Sequence, residues 1–195
     1  MSRILLADDS PHAQRMGERI LRDEGHEVIT VSDGKVAMLR LQDASPDLII
    51  ADEPTTALDV SVQSQIIALI RRLCRDRGAS ALLITHDMGV IAETCDAVAV
   101  MYAGRLIEIG PVKDVIQRPA HPYTQGLMAS IPDLFTDHAR LNQIDGAMPR
   151  LQAIPKGCAF HPRCPLVVEA CLAKAPSLTK AGDSLAACWR AGDGA

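Results

Sequence analysis

Residues 46–59 run P-D-L-I-I-A-D-E-P-T-T-A-L-D, and the fold depends on how this stretch is taken. Leu48, Ile49, Ile50 and Ala51 make an unbroken apolar run, the pattern of a parallel strand buried on both faces. Asp52 and Glu53 follow at its carboxyl end, and Pro54 stops further pairing. The carboxyl edge of such a strand is where open α/β sheets bind ligands. One acid there would serve to cap the next helix. Two adjacent acids after a dry strand suit Mg²⁺ and a phosphate or a water.

Upstream, an apolar run at residues 4–7 ends in Asp8 and Asp9. Ser10 then Pro11 is a helix start, a side-chain cap followed by a residue whose φ is already set. Ala13, Met16 and Ile20 give this helix an apolar face, and Gly25 ends it. Residues 28–31 form a second strand. Asp33-Gly34 opens a second helix with Val36 and Leu39 inward, and Ala44-Ser45-Pro46 closes it. Short β-α-β-α-β connections imply a parallel sheet with right-handed crossovers. Acids from the first and third strands then meet at one edge, and three clustered negative charges need a hard cation or a proton. The plainer reading is that Asp8 or Asp9 caps the first helix.

Downstream, Val62, Ile66, Leu69, Ile70 and Leu73 line one face of a helix that Gly78 ends. Residues 81–85 are a fourth strand, followed by His86-Asp87. Residues 96–110 form a hairpin turning at Ala103-Gly104, and a short helix starts near Val112. A sheet of order 2-1-3-4-5 follows, with helices on both faces and residues 105–109 at its far edge.

These residues carry two resemblances. Residues 46–59 resemble the Walker B strand and D-loop of ATP-binding-cassette (ABC) ATPases. The resemblance implies that Asp52 holds Mg²⁺ through water, Glu53 orients the attacking water, and Thr56-Ala57-Leu58-Asp59 is the D-loop. L-L-I-T-H-D-M at residues 82–88 resembles the switch-histidine motif of that family, with His86 touching the γ-phosphate, 33 residues beyond Glu53. A lone His at a strand end is otherwise a surface residue. The first half instead resembles a response-regulator receiver domain: R-I-L-L-A-D-D-S-P, E-G-H-E-V-I-T-V-S-D-G-K-V-A and S-P-D-L-I-I-A-D match it in turn. There Asp8 and Asp9 bind Mg²⁺ beside a phosphoacceptor, Asp52, with Thr85 and Tyr102 as switch residues.

Each family's set is incomplete. No G-x-x-x-x-G-K-[ST] occurs, nor a Q-loop or an L-S-G-G-Q-like signature. Without the phosphate-cradling loop and its lysine, most affinity for ATP is expected to be lost. In place of the receiver's Met-Pro turn stands Glu53-Pro54-Thr55, and Arg105 is a poor substitute for its Lys-Pro lysine.

Composition excludes other classes. The net charge of −4 argues against nonspecific binding to nucleic acid, and five aromatic residues make base-stacking platforms improbable. No apolar run approaches the roughly 20 residues of a membrane span. The amino terminus enters a strand with no signal-peptide pattern, so a cytoplasmic chain is expected, with its six cysteines as thiols or metal ligands.

R-P-A-H-P-Y-T-Q-G-L at residues 118–127 opens an extension. With L-Q-A-I-P-K-G-C-A-F-H-P-R-C-P at 151–165 and A-C-W at 187–189, it resembles the end of oligopeptide and dipeptide ABC importer subunits, a likeness covering residues 47–195. Cys158, Cys164, Cys171 and Cys188 lie within 31 residues of a Pro-rich, weakly periodic segment as C-x5-C-x6-C-x16-C. This is not the C-x2-C pairing of a zinc ribbon, and four thiolates suit zinc or an iron–sulfur centre equally. The resemblance implies a [4Fe–4S] cluster; reduced thiols or two disulfides are the alternatives. Cys74 and Cys95 fall in expected helices and suit small apolar core positions.

The expectation is an α/β chain with two parts: a composite domain at 1–111 (receiver-like at 1–50, ABC-derived at 47–111) and an irregular Cys-containing extension at 112–195. The join falls within residues 46–52. Function divides three ways. The first is a partial ATP-binding subunit of a peptide importer that does not hydrolyse ATP alone. It would lie at the inner face of the membrane with permease subunits and a second ATPase subunit. The second is a receiver phosphorylated on Asp52 by a histidine kinase. The third is a non-catalytic chimeric α/β domain.

Overall fold

Four five-residue apolar strands build the first sheet: β1 (Arg3–Ala7), β2 (Glu27–Val31), β3 (Leu48–Asp52) and β4 (Ser80–Ile84). All pair in parallel, in the order β2-β1-β3-β4. The structure is a computed structural model and describes residues 1–56, 59–131 and 143–191. The chain divides into two compact units, Met1–Thr94 and Cys95–Ala195.

In the first unit the helices start where their caps predict. Ser10 accepts from the Ala13 amide and opens α1 (Pro11–Asp23). Asp33 accepts from Val36 and opens α2 (Gly34–Ala44), and Asp59 accepts from Val62 and opens α3 (Val60–Arg77). Gly78, at φ 69°, ends α3, and α4 (Met88–Thr94) follows β4. Adjacent side chains of β1 point to opposite faces. Leu5 packs with Val31, Leu41, Ile49 and Leu73, so α2 and α3 cover its face. Leu6 lies under α1, where a Cβ on Gly17 would stand 2.9 Å from it.

Two helix faces differ from expectation. Met16 and Ile20 are exposed, and no residue of α1 is buried. The residue α1 turns to the sheet is Gly17, which lets its backbone lie close on Leu6 and leaves the larger side chains on its flank. In α2, Val36 and Leu39 are exposed while Ala37 and Leu41 pack inward. A one-position error on a helix rotates the apolar face by about 100°.

The fifth strand also departs from expectation. β5 (Ala97–Tyr102) pairs not with β4 but with β6 (Arg105–Pro111), in an antiparallel sheet of order β5-β6-β8-β7 that includes β7 (Thr179–Ala181) and β8 (Ser184–Ala186). The two-residue turn explains the local pairing. Ala103 and Gly104 both have positive φ, 48° and 75°, the geometry whose twist matches a tight hairpin. β6, expected at the far edge of the parallel sheet, is therefore an inner strand of the second one. With β5 gone, β4 is an edge strand, and Leu82 and Ile84 are exposed on the face shared with Leu6.

The second unit continues with α5 (Val112–Gln117), α6 (Pro122–Ala129) and α7 (Glu169–Ala173). Residue 111, expected to end the composite domain, is the last of β6 and lies inside this unit. Tyr102, Ala103, Ile107, Ala159 and Phe160 form its core. Beside them Glu108 is wholly buried, its carboxylate accepting from the amides of Ala120 (2.7 Å) and His121 (3.0 Å). Cys95 lies just past α4 rather than within a helix, and it and Cys74 are half-buried. Among the described residues no helix is long and apolar enough to cross a membrane.

Candidate functional site

The carboxyl edge of the parallel sheet gathers the acids. Ala7 pairs with Ala51, so Asp8 leaves β1 beside Asp52 at the end of β3. Asp8 is buried, and its Oδ1 accepts from the Ser10 amide at 2.8 Å. The cap of α1 is Ser10, which leaves the rest of the Asp8 carboxylate and all of Asp9 outside the capping role. Partial burial pushes Asp52 above the usual carboxylate range, and the charges of Asp8, Glu53 and Asp9 add to the shift.

Glu53 adopts φ 45°, a left-handed conformation that non-glycine residues avoid and that concentrates at functional sites. Its amide donates to the Ile84 carbonyl at 2.8 Å, fastening the ends of β3 and β4 together. Its carboxylate accepts from Thr56 Oγ1 at 2.8 Å and meets His86 Nδ1 at 2.7 Å. The His86 contact first, then Thr56, holds Glu53 below its ordinary range, and Glu53 raises His86 above its own. His86 is otherwise largely solvent-facing. Next to it, Asp87 accepts from Gln63 Nε2 and from the amides of Gly89 and Val90, so it starts α4; these contacts, Gln63 first, hold it ionised. Thr85 Oγ1 accepts from the Asp87 amide at 3.0 Å. Asp59 is the cap of α3, while Ala57 and Leu58 lie outside the described residues.

The sign of the pH dependence follows from these shifts. The raised His86 contributes stability that is complete below its ordinary value of about 6.5 and lost as pH rises through the folded value. The lowered Glu53 contributes above about 4.5 and loses it as pH falls through its folded value. In an NMR titration, His86 is expected to titrate above 6.5 and to fall back toward it in Glu53→Gln. An unchanged midpoint in that variant contradicts the contact.

In the second unit the four clustered cysteines line one pocket, together with His121 and Trp189. All six cysteines of the chain are free thiols. The Cys158 amide donates to the Cys171 carbonyl at 2.8 Å, tying two thiol-bearing loops together. Burial raises Cys158 and Cys164 above the usual thiol range. The amides of Phe160 at Cys158 and of Leu166 at Cys164 oppose the rise, and the neighbouring cysteines add to it. Cys188 Sγ accepts from the Arg190 amide at 3.4 Å. Each of these three thiols thus faces the amide two residues on, a donor that favours thiolate. Tyr102, read as a switch residue, is buried in this unit's core against Tyr123 and Phe160.

Neither site closes into a complete coordination shell. Among the described residues, no group of three His, Cys, Asp or Glu side chains could hold a metal ion as placed. The acids share an edge and the thiols ring a pocket, but in neither place do they converge on one point.

Residues 107–171 match the family model described as "Oligopeptide/dipeptide transporter, C-terminal region". Curated relatives agree. The chain is similar to the dipeptide transport ATP-binding protein DppD of Bacillus subtilis, 49% identical over 145 residues (74% of this chain, 43% of that one). It is similar to the oligopeptide transport ATP-binding protein AppD of the same organism, 42% identical over 161 residues (83% and 49%). It is also similar to OppD of Salmonella typhimurium, 47% identical over 145 residues (74% and 43%). The chain spans about half the length of the curated relatives it matches. Among solved structures, 43% of the chain resembles 66% of the response regulator TrrA of Thermotoga maritima, at 26% identity and a TM-score of 0.34.

Sequence reasoning missed Gln63 and Thr56 as partners of the site's acids, and the buried pair Glu108 and His121. Gln63 meets Asp87 across 24 positions, and no local spacing signals that. The H-P-Y run containing His121 was legible, but its burial was not.

Proposed function

We propose that the chain is part of an ATP-binding subunit of a peptide ABC importer, joined to a receiver-like first half, and does not turn over ATP alone. The observation that carries this reading is the 2.7 Å contact between Glu53 and His86 across the ends of β3 and β4. A carboxylate kept ionised beside an exposed imidazole suits the tasks of orienting a water and sensing a phosphate. The relatives, all ATP-binding proteins of peptide transport, support the same assignment. Asp52 is the proposed Mg²⁺ holder, and Asp59, the last residue of the proposed D-loop, caps α3. Permease subunits and a second ATPase subunit are the proposed partners, at the cytoplasmic face of the membrane.

The 195 residues contain no glycine-rich phosphate loop, so the pair has no cradle to deliver a γ-phosphate to it. Phosphate release from Mg-ATP by the full chain is expected to stay at background. Turnover that disappears in Glu53→Gln would overturn this.

One observation favours the second reading. Asp8 and Asp52 stand side by side, as Mg²⁺-assisted phosphorylation of Asp52 by a histidine kinase requires. Beryllofluoride with Mg²⁺ is then expected to shift the amide spectrum, and Asp52→Asn to abolish the shift. A chain whose spectrum responds to neither nucleotide nor beryllofluoride is the non-catalytic domain of the third reading.

For the second unit we propose a [4Fe–4S] cluster held by Cys158, Cys164, Cys171 and Cys188. The fit rests on four thiols lining one pocket, three of them facing backbone amides. By ligand type four thiolates suit zinc and an iron–sulfur cluster equally, and the resemblance to the importer family is what favours the cluster. When bound, such a group supplies one-electron chemistry or the stability that a small core lacks. Iron and zinc analysis with absorbance near 400 nm tests it. Neither metal in stoichiometric amount after anaerobic loading would sink the proposal.

A further inference from the structure

We infer that Gln63 is a positioning residue for His86, acting through Asp87 to hold the β4–α4 turn where the imidazole meets Glu53. The inference deepens the ATPase reading above and rests on that reading for what the pair would do.

The His86 ring has little else to hold it. Its side chain is 83% exposed, and the ring's one hydrogen bond among the described residues is to Glu53. An exposed ion pair gains little and costs side-chain entropy, so its persistence depends on where the backbone puts the ring.

That backbone is pinned from two sides. On the β3 side, the Glu53 amide donates to the Ile84 carbonyl at 2.8 Å. On the α3 side, Gln63 Nε2 donates to Asp87 Oδ2 at 2.9 Å. Between them Thr85 Oγ1 accepts the Asp87 amide at 3.0 Å, closing the turn around His86. Gln63 itself stands on a fixed helix, its own amide donating to the Asp59 carbonyl at 2.9 Å near the start of α3.

The two oxygens of Asp87 have separate partners. Oδ1 accepts the amides of Gly89 and Val90 at the start of α4, and Oδ2 accepts Gln63. An ionised carboxylate offers acceptors alone, so the glutamine presents its NH₂ group to it. Loss of the Gln63 donor therefore leaves the start of α4 capped and releases only the tie to α3.

The plainer role for Gln63 is to staple α3 to α4, and the His86 midpoint in an NMR titration separates the two roles. The charged groups acting on the ring are Glu53 first and Asp87 last. Gln63→Met keeps the length of the side chain, removes the donor and changes no charge. Gln65→Met, at an exposed position of the same helix, is the control. In the full chain, Gln63→Met is expected to lose the larger part of the interval that separates the wild-type midpoint from that of Glu53→Gln. Gln65→Met is expected to keep the wild-type midpoint, and Gln63→Met to move it no further in the Glu53→Gln background. Should Gln63→Met fail to fold, Gln63→Asn, one methylene shorter, supplies the comparison. A folded Gln63 variant with the wild-type midpoint overturns the inference and leaves the Glu53–His86 contact standing. An equal shift in Gln65→Met, or a further fall in the Glu53→Gln background, overturns it as well. A midpoint that Glu53→Gln leaves unmoved overturns the contact, and with it both the inference and the reading beneath it.

Discussion

Phe160→Ala is expected to destabilise the second unit by about 3–5 kcal/mol, the range for truncating a fully buried aromatic side chain. Phe160 is 2% exposed and is the hub of an aromatic group. It meets Tyr102 edge-on at 5.3 Å and Tyr123 at 5.5 Å, and the Arg163 guanidinium lies 6.0 Å from its ring centre. Only five aromatic residues exist in the chain, so no neighbour can refill the space. The sole tryptophan, Trp189, donates to the Lys174 carbonyl at 3.0 Å and reports on this unit alone. Its fluorescence in a urea titration should show the midpoint falling sharply with little change in slope. A loss below about 1 kcal/mol would mean that the aromatic group is not the unit's core.

Gly157→Ala should be comparably damaging and should act on the cysteine pocket directly. Gly157 has φ 76°, a conformation that costs an L residue about 1–2 kcal/mol by itself. A Cβ there would collide with the Cys171 carbonyl oxygen, with the Leu172 backbone at 2.9 Å. The loops bearing Cys158 and Cys171 must separate to admit it, which breaks the 2.8 Å hydrogen bond between them. Iron uptake and the Trp189 midpoint are therefore expected to fall together. A variant that keeps both shows that the loops are not held at this spacing.

Local chemistry made much of the first unit legible. Ser10, Asp33 and Gly78 mark helix ends because a cap or a left-handed glycine acts within three or four residues. The order β2-β1-β3-β4 follows from short crossovers of fixed hand. Helix orientation was harder. Met16 and Ile20 suggested an inward face for α1, but the glycine between them decides which side can approach the sheet. The destination of β5 was not legible either. Its hairpin with β6 was legible from the Ala103-Gly104 turn, but that the hairpin joins β8, more than 80 residues later, and not β4 was not. The site divides in the same way. Asp8 beside Asp52, and Glu53 beside His86, follow from strand order once acids are placed at strand ends. The Gln63–Asp87 contact and the burial of His121 arise from packing between distant segments, which periodicity does not encode.

The composite parallel sheet, and with it the receiver reading of the first unit, requires one edge to bring acids from β1 and β3 together. Measuring the Asp52 carboxyl by NMR titration, in wild type and in Asp8→Asn, tests that juxtaposition. Asp52 is expected to titrate above the ordinary value of about 3.9 and to fall part of the way back when the Asp8 charge is removed, burial and the charges of Glu53 and Asp9 sustaining the remainder. A midpoint in the ordinary range that ignores Asp8→Asn would contradict the shared edge, and with it the pairing of Asp8 with Asp52 that the receiver reading needs.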